Sequence, residues 1–187
     1  MTNKLFIDAG ANIGQSIDNF IKHWPNWNEY LILSYEANPN LKNQFERFSS
    51  KKNIKFFSSA IWSYDGFIDF YLSTEHNFGS SINKNKKSGR LDKTPISVPC
   101  VDIDRIIREH KDKEYIILKL DIEGAEYELL NYMFDKGTFN YINELYIEFH
   151  TDKVNKTKEN NNILIDKLKS YPNLKLFYNT SKGLNFI

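Results

Sequence analysis

The chain has 187 residues, room for one domain over residues 1–187 and little more. Hydrophobic residues make up 41% and charged residues 26%, a composition that folds rather than staying disordered. Lys plus Arg number 25 and Asp plus Glu 24, so a net charge of +1 gives no global attraction to nucleic acid or an anionic membrane.

Periodicity predicts strands alternating with helices. Leu5-Phe6-Ile7 reads as a short buried strand ending at Asp8. Ile13, Ile17, Phe20, Ile21 and Trp24 follow with helical spacing, and Pro25 stops that helix. Tyr30 to Tyr35 is a second strand ending at Glu36, and Asn38-Pro39-Asn40 opens a helix with Leu41, Phe45 and Phe48 on one face. Ile54 to Phe57 is a third strand, leading to Ala60-Ile61.

After the tight turn Asp65-Gly66, Phe67 to Leu72 reads as a strand. Residues 73–95 are polar and aperiodic. They are read as a lid over a polar substrate, against the plainer reading of a solvated loop. Of their basic residues Lys84, Lys86, Lys87, Arg90 and Lys93, the first four are either solvated or able to hold a diphosphate.

Ile96 to Val101 resumes the alternation as a strand that buries Cys100, the one cysteine, so an intrachain disulfide framework is excluded. Ile103, Ile106 and Ile107 mark a helix. Tyr115 to Leu120 is a strand ending at Asp121, and the next helix carries Leu129, Leu130, Met133 and Phe134. Glu144 to Phe149 is a strand ending at His150. A helix around Leu164 and Leu168 follows, then Leu174 to Phe177 pairs with Leu184 to Ile187. The fold expected from this order is α/β and doubly wound, with a mostly parallel seven-stranded sheet and helices on both faces. No apolar run reaches the ~20 residues of a membrane span. Without a signal-peptide layout the expected location is cytoplasmic.

The turn Asp8-Ala9-Gly10-Ala11-Asn12-Ile13-Gly14-Gln15-Ser16 occupies the nucleotide-binding position of such a sheet. Asn12 stands where a dinucleotide fingerprint needs its second glycine, and no Gly-Lys-Ser/Thr triplet marks a P-loop. S-adenosylmethionine suits the turn better. Its carboxylate can meet backbone N–H groups, its ammonium an acid such as Asp8, and its ribose diol the carboxylate of Glu36.

Asp8-Ala9-Gly10-Ala11-Asn12-Ile13-Gly14, Tyr35-Glu36-Ala37-Asn38-Pro39, Gly79-Ser80-Ser81-Ile82 and Lys119-Leu120-Asp121-Ile122-Glu123-Gly124-Ala125-Glu126 occur in that order. In these blocks, from residue 5 to about 150, the sequence resembles the FkbM family of S-adenosylmethionine-dependent methyltransferases. The resemblance implies a class I Rossmann-like fold and methylation of a hydroxyl, often on a sugar. The cofactor set expected on this basis is Asp8, Gly10, Asn12, Gly14, Ser16, Glu36, Ala60, Ile61 and Asp121. The expected acceptor side is Asn77, Ser80, Ser81 and Glu123, with a free, lipid-linked or nucleotide-linked saccharide as acceptor and no nucleic acid.

Methyl transfer to a hydroxyl needs a base, and Asp121, Glu148 and His150 lie where strand ends would place one. Three readings of these acids stay open. Asp121, Glu123 and Glu126 can serve the positive end of the next helix, with Glu148 and His150 as edge polar residues. Asp121 or His150 can act as a metal-free base. Asp121, Glu148 and His150 can hold Mg²⁺ or Mn²⁺. The competing functions are methylation of a non-sugar small molecule or nucleic acid, and a non-catalytic S-adenosylmethionine-binding module.

Overall fold

A computed structural model describes residues 2–75, 79–86, 90–151, 154, 156 and 158–179. Six strands form the main sheet: β1 (Lys4–Ala9), β2 (Tyr30–Tyr35), β3 (Ile54–Phe57), β7 (Tyr115–Leu120), β8 (Glu144–Glu148) and β9 (Lys175–Asn179). Their spatial order is β3-β2-β1-β7-β8-β9, and every neighbouring pair is parallel. The order reverses beside β1, the switch point at which ligands bind in open α/β sheets.

Among the described residues the main sheet thus holds six strands where seven were expected. Among the described residues β4 (Ala60–Trp62), β5 (Gly66–Phe70) and β6 (Ile96–Asp102) form a separate small sheet in the order β4-β6-β5. The chain leaves the main sheet at Ser58-Ser59, because β3 is a short edge strand with every second residue exposed. The expected pairing with Leu184 to Ile187 lies outside the described residues.

Both faces of the main sheet are covered, which is why its strands read as continuous apolar runs. Alternation divides the core. Phe6, Ile32, Ile117 and Tyr146 pack against α1 (Gln15–His23) and a 3-10 helical segment, Pro39–Phe48, through Ile17, Phe20, Phe45 and Phe48. Leu5, Ile7, Leu118 and Leu145 face the opposite layer, with α2 (Ile103–Glu109), α3 (Glu126–Lys136) and α4 (Lys158–Lys169). Of the apolar positions expected on each helix, Ile17 and Phe20, Ile103, Ile106 and Ile107, Leu129, Leu130, Met133 and Phe134, and Leu164 and Leu168 are buried, while Ile13, Ile21 and Trp24 are half-buried. No helix among the described residues is long and apolar enough to cross a membrane.

The 73–95 loop is not free in its described parts. Tyr71 and Ser81 exchange two backbone hydrogen bonds, and Ser73 bridges Leu91. The segment 79–86 thereby lies along the continuation of β5 and over the end of β7.

Candidate active site

Register builds the site. Asp8 on β1 sits directly between Ser34 on β2 and Lys119 on β7. All three project to the side of the sheet that α1 covers, so Ser16 reaches the same point. Asp8 accepts from the Ser16 hydroxyl and, at 3.4 Å, from that of Ser34, and its other oxygen lies 3.1 Å from Lys119 Nζ. Lys119 Nζ also donates to the Gly10 carbonyl at 2.9 Å and stands 3.5 Å from Asp121. Burial lowers the Lys119 pKa, but the charges of Asp8 and Asp121 more than offset it, and the net shift is upward. The ammonium thus ties the glycine turn to the end of β7.

Three expectations change here. Asp8 has no exposed surface, so it cannot pair a ligand's ammonium; it holds Lys119 and the turn instead. The Ser16 hydroxyl is likewise taken by Asp8. Gly14 adopts φ +86°, but a Cβ there would meet Arg47 Nη2 and Phe48 Cε2, each at 2.8 Å. Its closeness serves the 3-10 segment rather than the strand or a ligand.

The turn's own donors are also occupied. Gly10 and Ala11 donate to the Tyr35 carbonyl at 3.0 Å each, and Gly14 donates to Ala11 at 2.8 Å. Asn12, at φ +50°, donates to Glu36 Oε2 at 2.8 Å. The first intrahelical donor of α1 is Asp18, which bonds the Gly14 carbonyl at 3.1 Å, so the N–H groups of Gln15, Ser16 and Ile17 precede the helical ladder.

A cleft of about 660 Å³, counted to its open mouth, lies above the strand ends. Gly10, Asn12, Glu36, Ala60, Ile61 and Asp121 line it, so six of the expected cofactor positions meet there. Glu36 is oriented by two backbone donors, Asn38 at 2.7 Å and Asn12 at 2.8 Å. Burial raises its pKa, and those two hydrogen bonds only partly counter it.

At the other side of Asp121 the cleft meets a cluster of acids around His150. Nε2 of His150 lies 3.6 Å from Asp121, 3.7 Å from Glu148 and 3.9 Å from Glu123. Nδ1 lies 2.8 Å from Glu126 Oε1. Burial lowers the His150 pKa, but the hydrogen bond to Glu126 and the charges of Glu126, Glu123 and Asp121 outweigh it, and the net shift is upward. Ligand atoms of Asp121, Glu123 and His150 lie within 4.8 Å of one another. Glu123 thus takes the place that Glu148 was expected to hold in a metal-sized group.

The acceptor-side residues divide. Ser80 and Glu123 line the cleft. Ser81 does not serve: it is 1% exposed, and its hydroxyl donates to the Glu123 carbonyl at 2.9 Å and accepts from Asn83. Asn77 lies outside the described residues, as does Lys87. Lys86, expected among solvated basic residues, is turned inward, with its Nζ 2.9 Å from Glu123 Oε2 and donating to the Gly79 carbonyl. Arg90 stays exposed beside Glu75.

Sequence reasoning gave no site role to Lys119 or Glu126, and offered Lys86 only as a solvated or diphosphate-binding residue. Lys119 was findable: a lysine inside an apolar strand must meet a buried acid.

Parallel strands with a glycine turn after the first and a carboxylate after the second define a Rossmann-like α/β fold of the class I methyltransferase type. The profile of the Methyltransferase FkbM domain matches residues 8–173, and the chain belongs to that family. Its fold is similar to the crystal structure of Methyltransferase FkbM from Methylobacillus flagellatus KT, with a TM-score of 0.54 at 15% identity. That similarity covers 91% of this chain and 38% of the other, so the chain spans well under half of that protein's length. No curated protein matches the sequence.

Proposed function

We propose that the chain transfers a methyl group from S-adenosylmethionine to a hydroxyl of a sugar or glycan-type acceptor. One observation carries this reading. A single cleft runs from a buried carboxylate at the end of β2 to Asp121 and Glu123, two acids of the cluster around His150. When bound, S-adenosylmethionine supplies an electrophilic methyl on a sulfonium. Glu36 suits its ribose because a carboxylate aligned by two backbone donors keeps lone pairs for a diol. His150 Nε2 receives the proton of the acceptor hydroxyl, and Asp121 at 3.6 Å stabilises the imidazolium. Ser80, Asp121 and Glu123 give the acceptor side a hydrogen-bonding lining that favours a polyol.

The test is incubation with labelled S-adenosylmethionine and a panel of free, lipid-linked and nucleotide-linked saccharides, read by mass spectrometry. Label in a saccharide is expected. Preferential methylation of a catechol, an amine, a nucleic acid or a protein would overturn the acceptor class. Cofactor binding with no transfer to anything would leave a non-catalytic module.

Cofactor binding has its own test. Glu36→Ala removes charge-assisted hydrogen bonds that contribute about 1.5–3 kcal/mol each. Affinity for S-adenosylmethionine should fall at least about tenfold by calorimetry. Unchanged affinity in a variant that melts like the parent would reject the cofactor site.

A divalent cation is the second reading of the cluster, favoured by the spacing of Asp121, Glu123 and His150. Two ammonium groups weigh against it, since Lys86 lies 2.9 Å from Glu123 and Lys119 lies 3.5 Å from Asp121. Activity should therefore survive EDTA. Loss on chelation, restored by Mg²⁺ or Mn²⁺, would assign the cluster to a metal.

A further inference from the structure

Glu126 opens α3, where an acid would ordinarily face solvent and complement the helix end. Here it is fully buried. Its Oε2 accepts from the Gly124 N–H at 2.9 Å, and its Oε1 accepts from the Ile122 N–H at 2.9 Å. The same Oε1 lies 2.8 Å from His150 Nδ1. One carboxylate thus spans the 121–124 turn, which carries Asp121 and Glu123, and the end of β8, which carries His150. The turn needs such a brace, because Glu123 sits in the left-handed region at φ +57°.

We propose that Glu126 is the positioning residue of the site, fixing His150 with its proton on Nδ1 and its lone pair on Nε2, toward Asp121, Glu123 and Glu148. The chemistry of the partners requires this assignment. Both oxygens of the Glu126 carboxylate already accept backbone N–H groups, so the side chain faces His150 as an acceptor. The proton between Glu126 and His150 therefore belongs to Nδ1. The three carboxylates facing Nε2 are 3.6–3.9 Å away, beyond hydrogen-bond length, and two of them, Asp121 and Glu123, line the cleft.

The catalytic consequence rests on the reading of His150 as the base; the tautomer does not. Glu126→Gln keeps the size of the side chain but presents one carbonyl and one NH₂ to three donors. Either orientation sets the NH₂ against one backbone N–H, and the three carboxylates around Nε2 favour the one that turns it toward His150, makes Nδ1 an acceptor and moves the ring proton to Nε2. The outer partner of a reacting histidine typically affects rate by about 10- to 100-fold, and a loss of that size in kcat is expected, with KM for the acceptor and affinity for S-adenosylmethionine preserved.

Long-range proton–nitrogen NMR of the histidine rings reads the tautomer directly. His150→Ala identifies the signal among the four histidines. At alkaline pH the unmodified protein should show His150 protonated on Nδ1, and Glu126→Gln should show it protonated on Nε2. An Nε2–H tautomer in the unmodified protein would overturn the proposal, and so would parallel losses in kcat, KM and cofactor affinity with the tautomer unchanged. If Glu126→Gln does not fold, the spectrum of the unmodified protein decides alone. An Nδ1–H ring in a protein that methylates no acceptor would sink the functional reading and leave the role of Glu126 standing.

Discussion

His150→Ala should lower turnover by about two to four orders of magnitude, the range a positioned general base contributes. Binding of S-adenosylmethionine should survive the change. The imidazole sits at the far side of Asp121 from Glu36, and no part of it is needed to line the cofactor end of the cleft. The ring is 5% exposed, so its removal also leaves a small cavity. A loss of roughly 1–3 kcal/mol in stability is expected alongside. Assays should therefore run well below the melting point of the variant. Asp121→Asn should also reduce turnover, because it removes the charge beside Nε2 and unpairs one side of Lys119. Kinetics at saturating cofactor, with calorimetric affinity measured in parallel, separate chemistry from binding. Full activity in both variants would mean that the cluster braces the helix end and nothing else.

What the sequence made legible is what depends on local pattern. Phe6 and Ile7 are apolar neighbours that face opposite layers, and such runs announce a strand covered on both sides. Strand ends at Asp8, Glu36, Asp121 and His150 follow from where each run stops. Contacts between strands were not legible. Asp8 looks like a ligand-facing acid until register sets it between Ser34 and Lys119, under the turn instead of above it.

Charge was equally deceptive where the chain folds back. Lys86 lies in a basic, aperiodic stretch, the pattern of a solvated loop. The fold instead places its ammonium against Glu123, where the two charges satisfy each other out of water. Nothing local distinguishes Lys86 from its exposed neighbour Lys84. Glu126 shows the same difficulty, since an acid in the first turn of a helix explains itself without any partner. The split sheet was missed because β4 spans only Ala60–Trp62, too short for periodicity to separate it from the end of β3.

Gly10→Ala should be the most damaging single methyl group in the protein. Gly10 has φ +79°, and left-handed backbone costs an L-residue roughly 1–2 kcal/mol. The space is worse than the angle. An added Cβ would stand 1.8 Å from the backbone oxygen of Asp121 and 2.8 Å from its carbonyl carbon. Both atoms are main chain, so no rotamer change relieves the overlap. The ends of β1 and β7 would have to part, straining the hydrogen bond from the Asp121 N–H to the Ala9 carbonyl at 3.1 Å and that from Lys119 to the Gly10 carbonyl at 2.9 Å. Together these amount to roughly 3–5 kcal/mol, at the severe end for one substitution. Each kcal/mol moves the melting temperature of a chain this size by ~2–4 °C, so a fall of roughly 6–20 °C is expected by calorimetry. Gly14→Ala is the control. It carries a similar backbone cost, but its Cβ would meet the side chains of Arg47 and Phe48, which can shift aside. Gly10→Ala should therefore melt well below Gly14→Ala and bind S-adenosylmethionine more weakly, because Gly10 and Asp121 share the wall of the cleft. Melting of Gly10→Ala within about 2 °C of the parent would show that β1 and β7 do not meet as closely as this turn requires.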